Sequence, residues 1–157
     1  GNTVAEGITN KVEMIDLSKD KPRYKTIAPM KHPRYYVYPV ILPDQNILVI
    51  GGKKGHKGHH PGKHGCKDDK GEVNHDPNAI MEAELFHTDT EQWEPLAEMA
   101  VDRLYHSNAI LLPDGSVMTA GSNPMRRCNE LRIEIFSPPY LHRGDRPTIT
   151  KNPAPGR

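Results

Sequence analysis

Residues 34–52 read RYYVYPVILPDQNILVIGG, and residues 103–122 read RLYHSNAILLPDGSVMTAGS. Both open on an arginine, run through apolar residues to a Leu-Pro-Asp turn, and return as a β-branched run that ends on small residues. One extra residue stands before the second Leu-Pro-Asp. Turn residues between two apolar runs mark hairpins, so Pro43-Asp44-Gln45-Asn46 and Pro113-Asp114-Gly115-Ser116 each join a strand pair. Similar tails lie upstream: VEMIDLSKDKPRYKTIAPM ends at Met30 and AELFHTDTEQWEPLAEM at Met99, while a third, RIEIFSPPYL, begins at Arg132. Met30 and Met99 stand 69 residues apart, and a polar, glycine-rich insertion at 53–78 takes 26 of these, leaving 43. That is the length of one four-stranded propeller blade, roughly 40–50 residues.

No stretch repeats apolar residues at the i, i+3, i+4, i+7 spacing of a helix. The chain is therefore expected to be all-β, with about two four-stranded blades. Trp93, after the turn at Asp89-Thr90-Glu91, suits the filling of space between blades. An open arc of two blades leaves sheet faces bare, so the 157 residues are expected to belong to a longer chain or to an arc closed by copies. The composition agrees with many turns and short strands: 35% apolar residues, 13 glycines and 15 prolines. A net charge of +1 sets up no general field toward nucleic acid or a membrane surface. No apolar run is long enough to span a bilayer. The first residues show neither the basic start nor the apolar stretch of a signal peptide, and there is no initiator Met.

Strand order places the chemistry. The strand after Arg103 starts on one face of the disc, turns at Pro113 on the other, and returns to the first at Gly121. The insertion at 53–78 follows the corresponding return strand, so it shares the face on which Tyr105 and His106 stand. Phenolate and neutral imidazole are good donors to a divalent transition metal, and a tetragonal N,O set favours copper. Neighbours in a regular strand point to opposite faces. Both side chains reach one ion only if the segment has not yet entered the pleat, and the position after AEMAVDR suits such a strand mouth. Taken alone, Tyr-His is a weak signal of a metal site, and the plain reading is ordinary strand material.

RLYHSNAILLPDGSVMTAGSNP, followed by EIFSPPYL and RPTIT, resembles the last propeller segment of the galactose oxidase and glyoxal oxidase family, the copper radical oxidases, and is nearer the glyoxal oxidase branch. The resemblance implies a seven-bladed kelch-type propeller followed by an immunoglobulin-like C-terminal domain. Residues 1–137 would be propeller, and 138–157 the connection into that last domain. It implies that Tyr105 is the axial copper tyrosine and catalytic base, that His106 is a second copper ligand, and that Arg103 is structural. The Cys-Tyr radical cofactor and a further histidine ligand would come from outside this chain. In the first repeat, Tyr36 and Val37 take the places of Tyr105 and His106 and would be structural. The implied reaction oxidises a primary alcohol or small aldehyde and reduces dioxygen to hydrogen peroxide. The implied location is secreted or extracellular.

The insertion carries His56, His59, His60, His64, Cys66 and His75 with six lysines. It reads either as a metal-collecting or gating loop or as a solvated polar segment. Cys66 and Cys128 fall in corresponding loops of adjacent repeats, on one face by the strand count. A disulfide between them requires Cα atoms within about 7 Å, and the resemblance implies a disulfide near Cys128. His32, His87 and His142 are expected at the surface, and Tyr140 as a packing anchor between propeller and next domain. Two alternatives stay open: a kelch-type module without catalysis, serving adhesion or glycan and protein interaction, and a surface protein binding metal through the insertion alone.

Overall fold

The computed structural model describes residues 7–55, 75–123 and 128–145. The described residues form nine strands and one 3-10 turn: β1 (Val12–Ile15), β2 (Tyr24–Ile27), β3 (Tyr38–Ile41), β4 (Ile47–Ile50), β5 (Glu82–His87), β6 (Gln92–Glu98), β7 (Asn108–Leu111), β8 (Val117–Ala120), β9 (Glu134–Phe136) and the turn Pro139–His142. They make three antiparallel meanders, β1-β2, β3-β4-β5-β6 and β7-β8-β9. The all-β expectation holds. Only the middle sheet has four strands, so about two blades' worth of strands is distributed as two, four and three.

The two hairpins are copies of each other. Ile41 pairs with Ile47, and Leu111 with Val117. The turns close through Leu42 N–H to Asn46 O at 2.9 Å and Leu112 N–H to Ser116 O at 2.8 Å. Asp44 Oδ1 accepts from the Asn46 N–H, and Asp114 Oδ1 from the Ser116 N–H. These short-range bonds from aspartate explain why Pro-Asp marks both turns.

The core lies between the middle and third sheets. Val40, Leu42, Leu48, Ile50, Ala83 and Leu85 meet Val117, with Ala109, Leu111, Phe136 and Tyr140 packed around them. Leu48 and Val117 are fully buried, each contributing roughly 1.5–3 kcal/mol relative to an exposed side chain. Tyr140 donates its hydroxyl to the Gly115 carbonyl and closes the core beneath the Pro113 turn. Trp93 fills space between the first and middle sheets. Its ring meets Phe86 at 5.0 Å, and its indole N–H donates to Ala28 O at 2.8 Å.

The arginine that opens each repeat turns inward. Arg34 donates to Glu84 Oε1 (2.7 Å) and to the Gly51 carbonyl (2.7 Å). Arg103 donates to Glu134 Oε2 (3.0 Å), Thr119 Oγ1 (3.0 Å) and the Gly121 carbonyl (2.9 Å). Glu84 pairs with Val49 across the ladder as Glu134 pairs with Thr119, so one buried arginine–glutamate clamp recurs in neighbouring sheets. The expected structural role of Arg103 is what these contacts describe.

Two expectations change. His32 and His87 are half-buried rather than plain surface groups: His32 Nε2 lies 3.1 Å from Glu82 Oε1, and His87 Nε2 lies 2.7 Å from Glu94 Oε2. His142 is exposed as expected. The second change concerns the repeat. Tyr36 and His106 are the residues with matching backbone, φ 63° and 62°. The extra residue of the second repeat therefore sits between Arg103 and His106, and Tyr36 occupies the place of His106 rather than that of Tyr105. Residues 146–157, the expected opening of a further domain, lie outside the described residues.

Candidate metal centre

Tyr105 and His106 precede β7, outside the pleat. The left-handed backbone of His106 (φ 62°) breaks the alternation that would send neighbouring side chains apart. Their rings stack, with centroids 3.7 Å apart and planes inclined by 30°. Both are exposed, Tyr105 by 49%, so an incoming ion or small molecule can reach them.

A non-glycine residue in that region costs roughly 1–3 kcal/mol and persists only where its surroundings enforce it. Three contacts do so. The Tyr38 hydroxyl, reaching over from β3, donates to Leu104 O at 2.5 Å and accepts from the Ser107 N–H at 3.2 Å. Leu104 N–H donates to Ser122 Oγ at 3.0 Å. Gly121 (φ 74°) lets the chain pass so close that a Cβ there would lie 2.5 Å from His106 O. Beyond β8, Asn123 donates its N–H to Tyr105 O at 2.7 Å, and its Oδ1 lies 2.7 Å from His106 Nδ1.

The first repeat contributes an aromatic wall. Tyr36 lies 5.3 Å from Tyr105 and 4.0 Å from Tyr35, ring centre to ring centre. Burial pushes the Tyr36 phenol up to about 12, with help from its hydrogen bond to Tyr35 and from the Tyr35 and Tyr105 phenols. Tyr36 is thus a neutral donor through the physiological range, unsuited to act as a proton acceptor beside the pair.

The ends of the insertion stand beside this site. Lys53 bridges to Tyr35 and Ala79, and its ammonium pairs with Asp76 at 3.0 Å in a buried contact. His75 Nδ1 lies 2.8 Å from Asp102 Oδ1, and the Asp76 N–H donates to Asp102 Oδ2 at 2.5 Å. His56, His59, His60, His64 and Cys66 lie outside the described residues. Cys128 is buried to 1% exposure, and no cysteine among the described residues is free. Among the described residues, no three His, Cys, Asp or Glu side chains are grouped to hold a metal, and no helix is long and apolar enough to cross a membrane.

The donor set at residues 105–106 fits copper. A phenol oxygen and an imidazole nitrogen are the donor types of a tetragonal N,O site. With Nδ1 of His106 engaged by Asn123, Nε2 is the nitrogen left for an ion. Sequence reading found this pair but passed over Tyr38 and Asn123. Tyr38 looks like any β-strand tyrosine, and Asn123 shows only as a polar residue just past a strand that ends on glycine.

Residues 5–140 match the family model described as glyoxal oxidase N-terminus. The chain is 36% identical over 135 residues to an aldehyde oxidase of Arabidopsis thaliana, covering 81% of this chain and 20% of that protein. It is 26% identical over 119 residues to a galactose oxidase of Gibberella zeae, covering 71% of this chain and 15% of that one. Among solved structures, a fungal alcohol oxidase in complex with copper superposes with a TM-score of 0.67 at 25% identity, over 85% of this chain and 26% of that one. The chain spans about a fifth of the length of the plant oxidase.

Proposed function

The chain belongs to the glyoxal oxidase N-terminus family, and from that premise we propose that it is part of a copper radical oxidase in which Tyr105 and His106 are two of the copper ligands. The full protein oxidises a primary alcohol or small aldehyde and passes the two electrons and two protons to dioxygen, giving hydrogen peroxide. The observation that carries this reading is the stacked, exposed Tyr105–His106 pair held outside the pleat by a left-handed residue. The left-handed turn itself recurs at Tyr36 in the first repeat; what sets this strand mouth apart is the exposed imidazole stacked on a phenol.

Copper bound there supplies one electron acceptor and a Lewis acid that makes a bound hydroxyl acidic. With the metal bound, Tyr105 would be held as the phenolate, and its oxygen would accept the substrate's hydroxyl proton as a general base. His106 holds its ring through Nδ1 and presents Nε2. Tyr36 walls the site on the side of the first repeat. The second electron acceptor, a Cys-Tyr radical cofactor, and a further histidine come from the rest of the protein.

Leu131, Ile133 and Ile135 are 84%, 61% and 55% exposed around β9, an apolar edge that further propeller strands and a C-terminal immunoglobulin-like domain would cover. A Cys66–Cys128 disulfide would tie the insertion to the loop after β8, a reading supported by the burial of Cys128. Tyr140, packed under the Pro113 turn, would anchor the passage into that domain. Location outside the cell accords with the disulfide and with peroxide as product.

The test is peroxide release from methylglyoxal by the full-length, copper-loaded protein, alongside Tyr105→Phe and His106→Ala. Activity in the parent and its loss in both variants supports the reading. A parent that binds copper equally well with and without these side chains overturns it.

A further inference from the structure

Asn123 is tied to both residues of the pair. Its N–H donates to Tyr105 O at 2.7 Å, its Oδ1 lies 2.7 Å from His106 Nδ1, and its Nδ2 donates to Cys128 O at 3.2 Å and to Asn129 Oδ1 at 2.5 Å. The orientation of the amide follows from these partners. A backbone carbonyl only accepts, so the NH₂ end must face Cys128. The acceptor end then faces His106, and a contact of 2.7 Å to an oxygen that cannot donate requires the hydrogen on Nδ1. In a neutral imidazole this leaves the lone pair on Nε2 alone.

A flipped amide would set two carbonyl oxygens against each other at Cys128 and put an NH₂ group against Nδ1. The ring would then carry its hydrogen on Nε2 and turn a donor toward the opening. The Cys128 carbonyl is thus a physical reason for the tautomer of a histidine 22 residues away in sequence. Ligating histidines commonly donate their second N–H to a carbonyl or carboxylate that fixes ring and tautomer.

We propose that Asn123 is the positioning residue of the copper site: it selects the Nε2-coordinating tautomer of His106 and holds the ring in the left-handed turn. This rests on the copper reading of Tyr105 and His106. Asn123 touches neither metal nor substrate; it acts through His106.

The test uses the full-length protein loaded with Cu(II), with copper affinity from competition titration and pulsed electron paramagnetic resonance of the remote imidazole nitrogen. Asn123→Leu removes the acceptor while keeping the number and branching of the side-chain heavy atoms. It is expected to weaken copper binding by about 10–100-fold, the usual effect of losing such a partner, and to shift the remote-nitrogen quadrupole coupling of one histidine, the one that His106→Ala deletes. Asn123→Asp keeps an acceptor for Nδ1–H but cannot donate to Cys128 O, so its affinity and remote-nitrogen signal are expected to stay close to the parent's.

A Leu variant with unchanged affinity and signal overturns the proposal. So does an Asp variant that folds but loses copper as the Leu variant does, because the tether to Cys128 and Asn129 would then be the cause. If His106→Ala leaves the parent's copper signal whole, the copper reading itself falls and takes this proposal with it; that result is read from His106 alone.

Discussion

The hydroxyl of Tyr38 lies 2.5 Å from the carbonyl oxygen of Leu104, joining the first strand of the middle sheet to the segment that carries the candidate ligands. The two residues are 66 apart in sequence, and the same hydroxyl accepts from Ser107 N–H. One side chain therefore brackets Tyr105 and His106 on both sides. Tyr38→Phe keeps the ring and leaves the Leu104 carbonyl without that donor. The Leu104 carbonyl still accepts from the Ser107 N–H at 3.0 Å, so the expected loss is about 0.5–1.5 kcal/mol, the net worth of a hydrogen bond, read as a lower urea midpoint at unchanged slope. Copper affinity of the full-length protein should fall with it, since the strained turn loses a restraint.

Gly121 is the second restraint. Its φ of 74° and the 2.5 Å between a notional Cβ and His106 O leave no room for a side chain. Gly121→Ala is expected to push the His106 backbone outward, costing roughly 1–3 kcal/mol from strain of this kind and weakening copper binding at the proposed site. Gly55, with nothing within 4 Å and no positive φ, is the control: alanine there should leave both quantities unchanged.

The arginine–glutamate clamps predict a contrast between buried and exposed charge. The side chains of Arg34 and Glu84 are 0% and 1% exposed, so Glu84→Ala strands a buried guanidinium. Losses of about 3–5 kcal/mol are usual for breaking such a pair, against about 0–1 kcal/mol for an exposed one. Lys25–Glu91, at 63% and 34% exposure, is the exposed partner of the comparison. Thermal unfolding of Glu84→Ala and Glu91→Ala should separate by about 4–20 °C, or the first should fail to fold outright.

Much of this architecture is legible from the two Leu-Pro-Asp turns. Aspartate bonds locally to the backbone two residues on, so turn, register and strand pair follow from a few adjacent residues. The site is less legible because its decisive feature is a dihedral angle. Nothing in the sequence marks His106 as left-handed, since glycine is the usual sign of that conformation and histidine is not. For the same reason the repeats align by letters at Tyr36 and Tyr105, whereas their backbones align at Tyr36 and His106. Asn123 and Tyr38 act through contacts made by folding one strand pair over another, and no local pattern announces such contacts. The arginine clamps were visible as a repeated residue, but their glutamates were not, being placed by ladder register alone.

Acid should weaken the fold through two carboxylates. The hydrogen bond from Lys31, then its charge and the nearby His32, hold the Glu82 carboxyl below its ordinary 4.5. The bond from Arg132, followed by its backbone N–H and charge, does the same for Glu130. A carboxyl depressed in the folded state binds protons more readily when unfolded. Its stabilisation is complete above the unfolded value near 4.5 and is lost as pH falls through the lower folded values. Urea midpoints should therefore be flat from about pH 7 to pH 5 and fall as pH drops below about pH 4. Lys31→Met and Arg132→Met each remove the first cause of one shift, so each variant should start lower at neutral pH and lose less on acidification. Parallel curves for parent and variants would show that neither carboxylate couples folding to pH.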